Sequence, residues 1–303
     1  MKRLFTVVIL FGFIGNATAQ QDPQFSQNMF NKLFVNPGTA GANDAICGTL
    51  LYRSQWTNFD GAPKTGLLSI DAAINPIKGG LGLSVMTDEI GFEKTLNAKL
   101  AYAFRFDVGQ ASKVGIGVDA GLIQKSIDGT FKFNDANDPS IPTGSVSGSS
   151  FDLGAGLYFQ SEKAYLGASA THLLEPEIDY GDFTTTMAMH IYGIAAYRFD
   201  VTPSVSLTPS AHLKNDGATT QADINMNAMF FNKFWLGGSY RLEDAIVLMA
   251  GVNVLQNLKI GYAFDITTSD LKSYNDGTHE IMLNYCYKIA KKKLYPIKNV
   301  RFL

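Results

Sequence analysis

In the stretch "LNAKLAYAFRFD", residues 96–107, Leu96, Ala98, Leu100, Tyr102, Phe104 and Phe106 fall on one side and Asn97, Lys99, Arg105 and Asp107 on the other. Alternation with a period of two is the mark of a β-strand whose faces meet different surroundings. The pattern returns in "KVGIGVDAGL", where Val114, Ile116, Val118, Ala120 and Leu122 oppose Gly115, Gly117, Asp119 and Gly121. It recurs in "FDLGAGLYF", "ADINMNAMF" and "NLKIGYAFDI". About fourteen strands are predicted, over residues 45–55, 64–74, 79–88, 93–107, 113–126, 149–160, 163–172, 186–199, 204–213, 220–231, 233–241, 244–254, 256–267 and 278–289.

The apolar face of such strands is either the core of a soluble sandwich or a surface turned to lipid. Two features favour lipid. The opposite face is rich in glycine and carries Lys99, Arg105, Asp119, Asp152, Asp223 and Lys259, which suits a crowded polar lumen. Short joints such as "DVGQAS", "QSEK" and "LQN" also alternate with mostly longer ones such as "HLLEPEIDYGDFTTT". Outer-membrane barrels have short periplasmic turns, longer outer loops and an even strand number. Phe104, Phe106, Phe159, Tyr197, Phe199 and Phe264 lie near strand ends, where ordinary β propensity and an aromatic girdle both place them. The fold expected is therefore all-β, a transmembrane antiparallel barrel.

The compartment agrees. Lys2 and Arg3 precede an apolar run from Leu4 to Ile14 and then Ala17-Thr18-Ala19, the order of a secretory signal peptide cleaved after Ala19. Beyond it no run reaches the length of a membrane helix, although hydrophobic residues make up 46% of the chain. A net charge of -2 with only 17% charged residues argues against nucleic acid as a partner. No linker divides the chain, so the division expected is a signal peptide (1–19), an N-terminal periplasmic or plug segment (20–44), the barrel (45–289) and a basic periplasmic tail (290–303). In the N-terminal segment Phe25, Met29, Phe30, Leu33 and Phe34 recur at near-helical spacing before Asn36-Pro37-Gly38. This stretch is either a short amphipathic helix, plugging the periplasmic mouth or binding a partner, or an extended strap clamped to the barrel base.

Four ordered segments carry a family likeness: "QDPQFSQNMF" with "VNPGTAG", the loop "QWTNFDGAPKT", "FWLGGSYR", and "IGYAFDITTSDLKSYNDGTHEIMLNY". Together they resemble the PorP/SprF family of outer-membrane proteins from the type IX secretion and gliding machinery of Gram-negative bacteria. The positions that match are Asp22, Pro23, Asn36, Pro37, Trp56, Asp60, Gly61, Lys64, Tyr240, Arg241, Asp265, Gly277, His279 and Glu280. The resemblance implies a non-enzymatic barrel, without a cofactor, that binds or anchors a secreted surface protein through that protein's C-terminal domain. It equally implies a scaffold joining the membrane to periplasmic lipoprotein or ring components. A solute porin is the third reading. Outer-membrane lipid is the expected surrounding in all three.

Candidate partner contacts are Trp56, Phe59, Asp60 and Lys64 in the first outer loop, and Phe25, Met29 and Phe30 in the N-terminal segment. Lumen polar groups expected are Lys99, Arg105, Asp119, Asp152, His190, His212, Asp223, Arg241, Lys259, Asp265 and Glu280. His190 and His212 lie at similar distances from the turn "DVTPS" and are expected as cross-strand neighbours, bonded in the lumen rather than to a metal. Cys47 and Cys286, the only cysteines, both point inward on the first and last strands, which barrel closure makes adjacent; a disulfide between them depends on register. Asp135, Asn137 and Asp138 form an acidic loop without the spacing of a calcium loop. No G-x-S-x-G turn occurs, and Gly115 and Gly117 sit within a strand, so neither a hydrolase elbow nor a nucleotide cradle is present.

Overall fold

A computed structural model describes residues 22–128, 144–181 and 183–288. The signal peptide, the acidic loop at 135–138 and the tail at 290–303 lie outside the described residues. The strands are β1 (Ile46–Ser54), β2 (Lys64–Ile74), β3 (Gly79–Ile90), β4 (Glu93–Val108), β5 (Ser112–Ile127), β6 (Val146–Gln160), β7 (Ala164–Thr171), β8 (Glu177–Asp179), β9 (Thr184–Thr186), β10 (His190–Tyr197), β11 (Phe199–Thr202), β12 (Val205–Asn215), β13 (Thr220–Phe230), β14 (Phe234–Arg241), β15 (Ala245–Leu255), β16 (Leu258–Thr267) and β17 (Thr278–Tyr287). All pairings in the wall are antiparallel, β1 pairs β17, and β10 pairs both β7 and β12, so the sheet closes on itself. Because β11 continues the place of β10 beside β12, the barrel has fourteen strands.

The period-two pattern explains which way each residue faces. Along β4, Leu96, Leu100 and Phe104 are exposed on the outside while Asn97, Lys99, Ala101 and Ala103 are buried within. The exposed large hydrophobics continue around the wall through Leu50, Leu68, Leu83, Val118, Leu157, Leu166, Ile224, Leu236, Leu248 and Leu283. A surface this apolar is stable only against acyl chains. Among the described residues, each of the fourteen strands of the wall pairs with a neighbour on each side over at least part of its length, as the hydrocarbon requires.

The connections at 75–78, 109–111, 161–163, 203–204, 231–233 and 256–257 share one end with the start of β1 and the finish of β17. That end is periplasmic by the rule of short turns. The outer connections are 55–63, 91–92, 128–145, 172–189, 216–219, 242–244 and 268–277. Three of these are as short as periplasmic turns, so the expected asymmetry holds only for the remainder. The predicted strand 186–199 is divided: β10 begins at His190, and residues before it belong to a cap. There β8 and β9 form a separate hairpin that packs Ile178, Tyr180 and Met187 against Ile123, inside the outer mouth.

The lumen is filled by the chain's own N-terminal segment. Residues 22–44 enter from the periplasmic end beside β1 and run to the outer half of the barrel. The segment is neither the single amphipathic helix nor the extended strap expected. It contains one turn of helix, α1 (Lys32–Val35), between short 3-10 turns at Asn28–Phe30 and Pro37–Thr39. Asn31, at φ -122° and ψ 54°, interrupts the helical run. It does so because the segment bonds to the wall rather than to itself: Asn31 Oδ1 accepts from Ser69, and Asn36 Nδ2 donates to the Leu157 carbonyl at 3.0 Å. Its deep placement rests on glycines of the inner wall. A Cβ on Gly115, Gly117 or Gly156 would strike the backbone of Pro37 and Gly38 or the Asn36 side chain. The glycine-rich face of β5 and β6 is thus a docking groove for a turn of chain.

Leu100 lies in the middle of β4 and is 67% exposed, whereas its neighbour Lys99 points inward to Asp152 at 2.8 Å. Leu100→Arg places a cation in hydrocarbon and is expected to cost about 2–4 kcal/mol. Denaturant titration of the protein folded in liposomes measures this; an unchanged midpoint would refute a lipid-facing Leu100.

Candidate functional site

Parts of the four sequence segments that carry the family likeness, far apart in the chain, meet at two places in the outer half of the barrel, a buried charge cluster and the rim above it. Arg53 of β1 reaches Asp265 of β16 at 2.9 Å and Glu280 of β17 at 3.2 Å. Arg241 of β14 bonds the same Asp265 at 3.0 Å and Asp223 of β13 at 3.2 Å. Two guanidinium groups therefore face three carboxylates, all buried. The N-terminal segment supplies the missing donors. The backbone N–H groups of Ser26 and Gln27 donate to the two oxygens of Glu280 at 2.7 and 2.8 Å, and the Ser26 hydroxyl donates to Asp265 at 2.7 Å. Gln24 and Asn28 side-chain amides donate to Asp223 at 3.2 and 3.3 Å.

Below this cluster the inner wall turns apolar, which the sequence reading of a wet lumen did not foresee. Leu51, Leu67, Met86, Trp235, Val247, Met249 and Met282 form a buried pocket that takes Phe25, Phe34 and Val35, with Met29 and Phe30 packed against it. Phe30 lies 5.0 Å from the Trp235 ring, and Lys259 Nζ is 5.7 Å from the ring of Phe30. Phe25, Met29 and Phe30 are therefore packed inside their own barrel and are withdrawn as partner contacts. The responsible residues interrupt polar inward rows with single hydrophobes, too sparse a signal to read from one sequence.

A second buried polar group of residues surrounds the tip of the segment. Asp22 Oδ1 faces His172 Nε2 at 2.9 Å, and its Oδ2 accepts from Tyr192 at 2.8 Å. Its N–H donates to His190 Nε2 at 3.3 Å, and Lys214 Nζ donates to its carbonyl at 3.0 Å. His172 in turn places Nδ1 3.0 Å from Asp152, which Lys99 also holds at 2.8 Å. Asp22, His172 and His190 bring ligand-type atoms within 4.8 Å of one another. However, both ring nitrogens of His172 already face carboxylates, so the arrangement is that of a salt-bridged imidazolium. Burial disfavours that charge, but Asp22 and Asp152 outweigh it and lift the His172 pKa to about 9. Burial likewise pushes the Asp22 carboxyl up, and His172 beside it prevails, holding it well below the usual range.

His190 and His212 are not cross-strand neighbours. The register sets Ile194 opposite His212, and Tyr192 stands between the two imidazoles, 6.2 and 5.8 Å from their rings. Arg105 lies at the periplasmic end, bonded to the Gly41 and Ala42 carbonyls and to Asp44. Asp119 is buried beside Gly154 of the neighbouring strand. Cys47 and Cys286 are register partners at the seam and are joined as a disulfide. Asp22, Arg53, His172 and Lys214 escaped the sequence reading of the lumen. Arg53 shares the inward parity of Cys47 and was legible; His172 follows the last strand residue and was not.

At the outer mouth the loop 55–63 is knitted to the loop before β17. Trp56 N–H donates to Thr278, Thr57 and Gly277 bond through their backbones, Asp276 N–H donates to the Thr57 carbonyl, and Asn58 bonds Asp276. Trp56 and Asn58 adopt φ of 46° and 65°, a conformation that this lacing holds. Trp56 is half-buried, while Phe59, Asp60 and Lys64 are exposed around a concavity of about 600 Å³.

Comparison with known proteins completes the picture. A family model described as Type IX secretion system membrane protein PorP/SprF matches residues 17–285. No curated protein sequence matches the chain. Among solved structures, the toluene transporter TbuX of Ralstonia pickettii is similar with a TM-score of 0.53 at 10% identity, over 86% of this chain and 94% of that one. The monoaromatic hydrocarbon channel CymD gives 0.52 at 9% identity over 86% and 93%. A deletion mutant of the TodX monoaromatic hydrocarbon channel gives 0.54 at 11% identity over 86% and 94%. At these identities the likeness is one of fold, an outer-membrane barrel.

Arg241→Ala leaves Asp223 and Asp265 buried with one guanidinium between them, at an expected cost of about 3–5 kcal/mol. Heat-dependent gel mobility of the folded barrel measures it, and wild-type thermal resistance would refute the cluster's role. The pH dependence follows from His172. Its pKa is raised, so its stabilising contribution is complete below its ordinary value of 6.5 and is lost as pH rises through about 9. The unfolding temperature is expected to fall across that window and to be flatter in His172→Gln; identical curves would refute it.

Proposed function

Because the chain belongs to the PorP/SprF family of type IX secretion system membrane proteins, we propose that it is a non-enzymatic outer-membrane holder that binds a secreted surface protein, through that protein's C-terminal domain, at its outer loops. The observation that carries this reading is the filled lumen. Residues 22–44 occupy the barrel from the periplasmic end to the outer half, and the β8–β9 hairpin packs into the mouth from above. Among the described residues the lumen is occupied by the chain's own segment, which argues against a porin role or transport like that named for the hydrocarbon channels of similar fold. The cell-surface side presents, among the described residues, the laced pair of loops, with Phe59, Asp60 and Lys64 exposed around the concavity that Trp56 also lines.

A second reading, a scaffold contacting periplasmic components, has one specific observation in its favour. At the periplasmic end Asp44, Lys78, Arg105, Phe106, Asp107 and Lys113 line a concavity of about 430 Å³ beside the point where the segment enters.

The two readings separate in one experiment. Crosslinking in intact cells is performed on wild type, on a Trp56→Ala/Phe59→Ala variant and on a Lys78→Glu/Lys113→Glu variant, with heat-modifiable mobility as the folding control. Loss of the surface-protein adduct only in the loop variant supports the holder. An unchanged adduct in the loop variant, or loss of a periplasmic adduct alone in the other, rejects it.

A further inference from the structure

Next to the tip of the N-terminal segment is a cavity of about 220 Å³, lined on the barrel side by the inner faces of β3, β4 and β5 and on the other by Asp22, Pro23 and Met187. Ile90 and Glu93, beside the outer turn at 91–92, also line it, so it lies at the outer end of the barrel. Its polar lining is Asp22, Asp88, Glu93 and Asn97, with the Thr95 hydroxyl and the Lys125 ammonium beside them. Asp88 receives the Thr65 hydroxyl on one oxygen at 2.6 Å and has its other oxygen free of any protein donor. Asn97 is 3% exposed, and its Oδ1 is buried without a hydrogen-bond partner. Glu93 holds Lys125 at 2.7 Å, and the carboxylate of Asp22 is held by His172 and Tyr192. Asp88 pairs with Thr95 and Met86 with Asn97, which makes Asp88 and Asn97 diagonal neighbours across two strands. The apolar lining is Met86, Met187, Ile90 and Pro23, of which the two methionines are adaptable.

An unpartnered buried acceptor costs free energy until a donor reaches it. Here a carboxylate oxygen of Asp88 and the side-chain amide of Asn97 border a space walled by methionine and isoleucine, and Lys125, which also lines it, is held by Glu93. A long side chain with an aliphatic stem and a cationic, multi-donor head satisfies both parts at once. We propose that this cavity binds one arginine or lysine side chain of the surface protein, inserted from the outer mouth, arginine being the better match because its fork of donors spans neighbouring acceptors. The proposal rests on the outer-mouth reading and adds to it the chemistry of the contact. An inserted head group would lie beside Asp22, so the same contact would bear on the end of the segment that fills the lumen.

The test uses the full protein in detergent, with N-acetyl-arginine amide as probe and N-acetyl-citrulline amide as its uncharged near-isostere, followed by ligand-observed magnetic resonance. Arginine is expected to bind at least tenfold more tightly than citrulline. Asp88→Asn, which keeps an acceptor for Thr65, is expected to erase that preference. Asn97→Asp adds a second carboxylate and is expected to tighten arginine several-fold, which keeps the test decisive should Asp88→Asn fail to fold. Equal binding of the two probes, no binding, or no response to either substitution overturns the site. If that happens while Trp56→Ala/Phe59→Ala still loses its adduct in cells, the site falls and the outer-mouth reading stands. If arginine binds as expected and that adduct persists, the cavity's chemistry is upheld and the holder reading is the part that fails.

Discussion

Glu280, Asp265 and Asp223 are buried in a barrel wall with only Arg53 and Arg241 to answer them. A buried carboxylate short of donors is costly. The remaining donors come from the backbone and side chains of residues 24–28. This one requirement organises the molecule. It ties the N-terminal segment to the closing strands, presses Phe25 and Phe34 into the apolar pocket beneath, and brings Asp22 up to His172. Wall and segment are each incomplete alone: one has acceptors in excess, the other, in Gln24, Ser26, Gln27 and Asn28, side chains that bond to the wall.

The alternation of side chains made the barrel legible, because each strand meets hydrocarbon on one face and protein on the other. Strand number, inward parity of Lys99, Asp119, Asp152, Asp223, Arg241, Asp265 and Glu280, and the adjacency of Cys47 to Cys286 all follow from that period. What was not legible depends on a third body inside the wall. The glycines at 115, 117 and 156 read as lumen filler, whereas they mark the close approach of Pro37 and Gly38. Met86, Trp235 and Met282 face inward because Phe25, Phe34 and Val35 cover them. Helical spacing from Phe25 to Phe34 suggested a helix, but the wall bonds of Asn31 and Asn36 broke it into turns. The hairpin of Glu177–Asp179 with Thr184–Thr186 is too short for a periodic signal.

The matching segments of the family likeness gain a physical meaning from this geometry. Ser26 and Gln27, Arg241, Asp265 and Glu280 lie in three of them and form one cluster, while the Trp56 loop and the loop carrying Asp276 and Gly277 form the laced rim above it. Barrel interior and outer surface are thus adjacent layers of one construction. A contact made at the rim lies one side-chain length from the residues that keep the lumen filled.

The course of residues 22–44 has a mechanical consequence. The segment touches β2 to β6 through Asn31, Asn36, Gly38 and Gly41, and β13 to β17 through residues 24–28, and it continues covalently into β1. It is a spoke spanning the hoop, fastened at the rim on both sides, while Cys47 and Cys286 rivet the hoop where its two ends meet. The girth of the cylinder is therefore gauged from within, and flattening or widening its mouth would require stretching a polypeptide already anchored at each end.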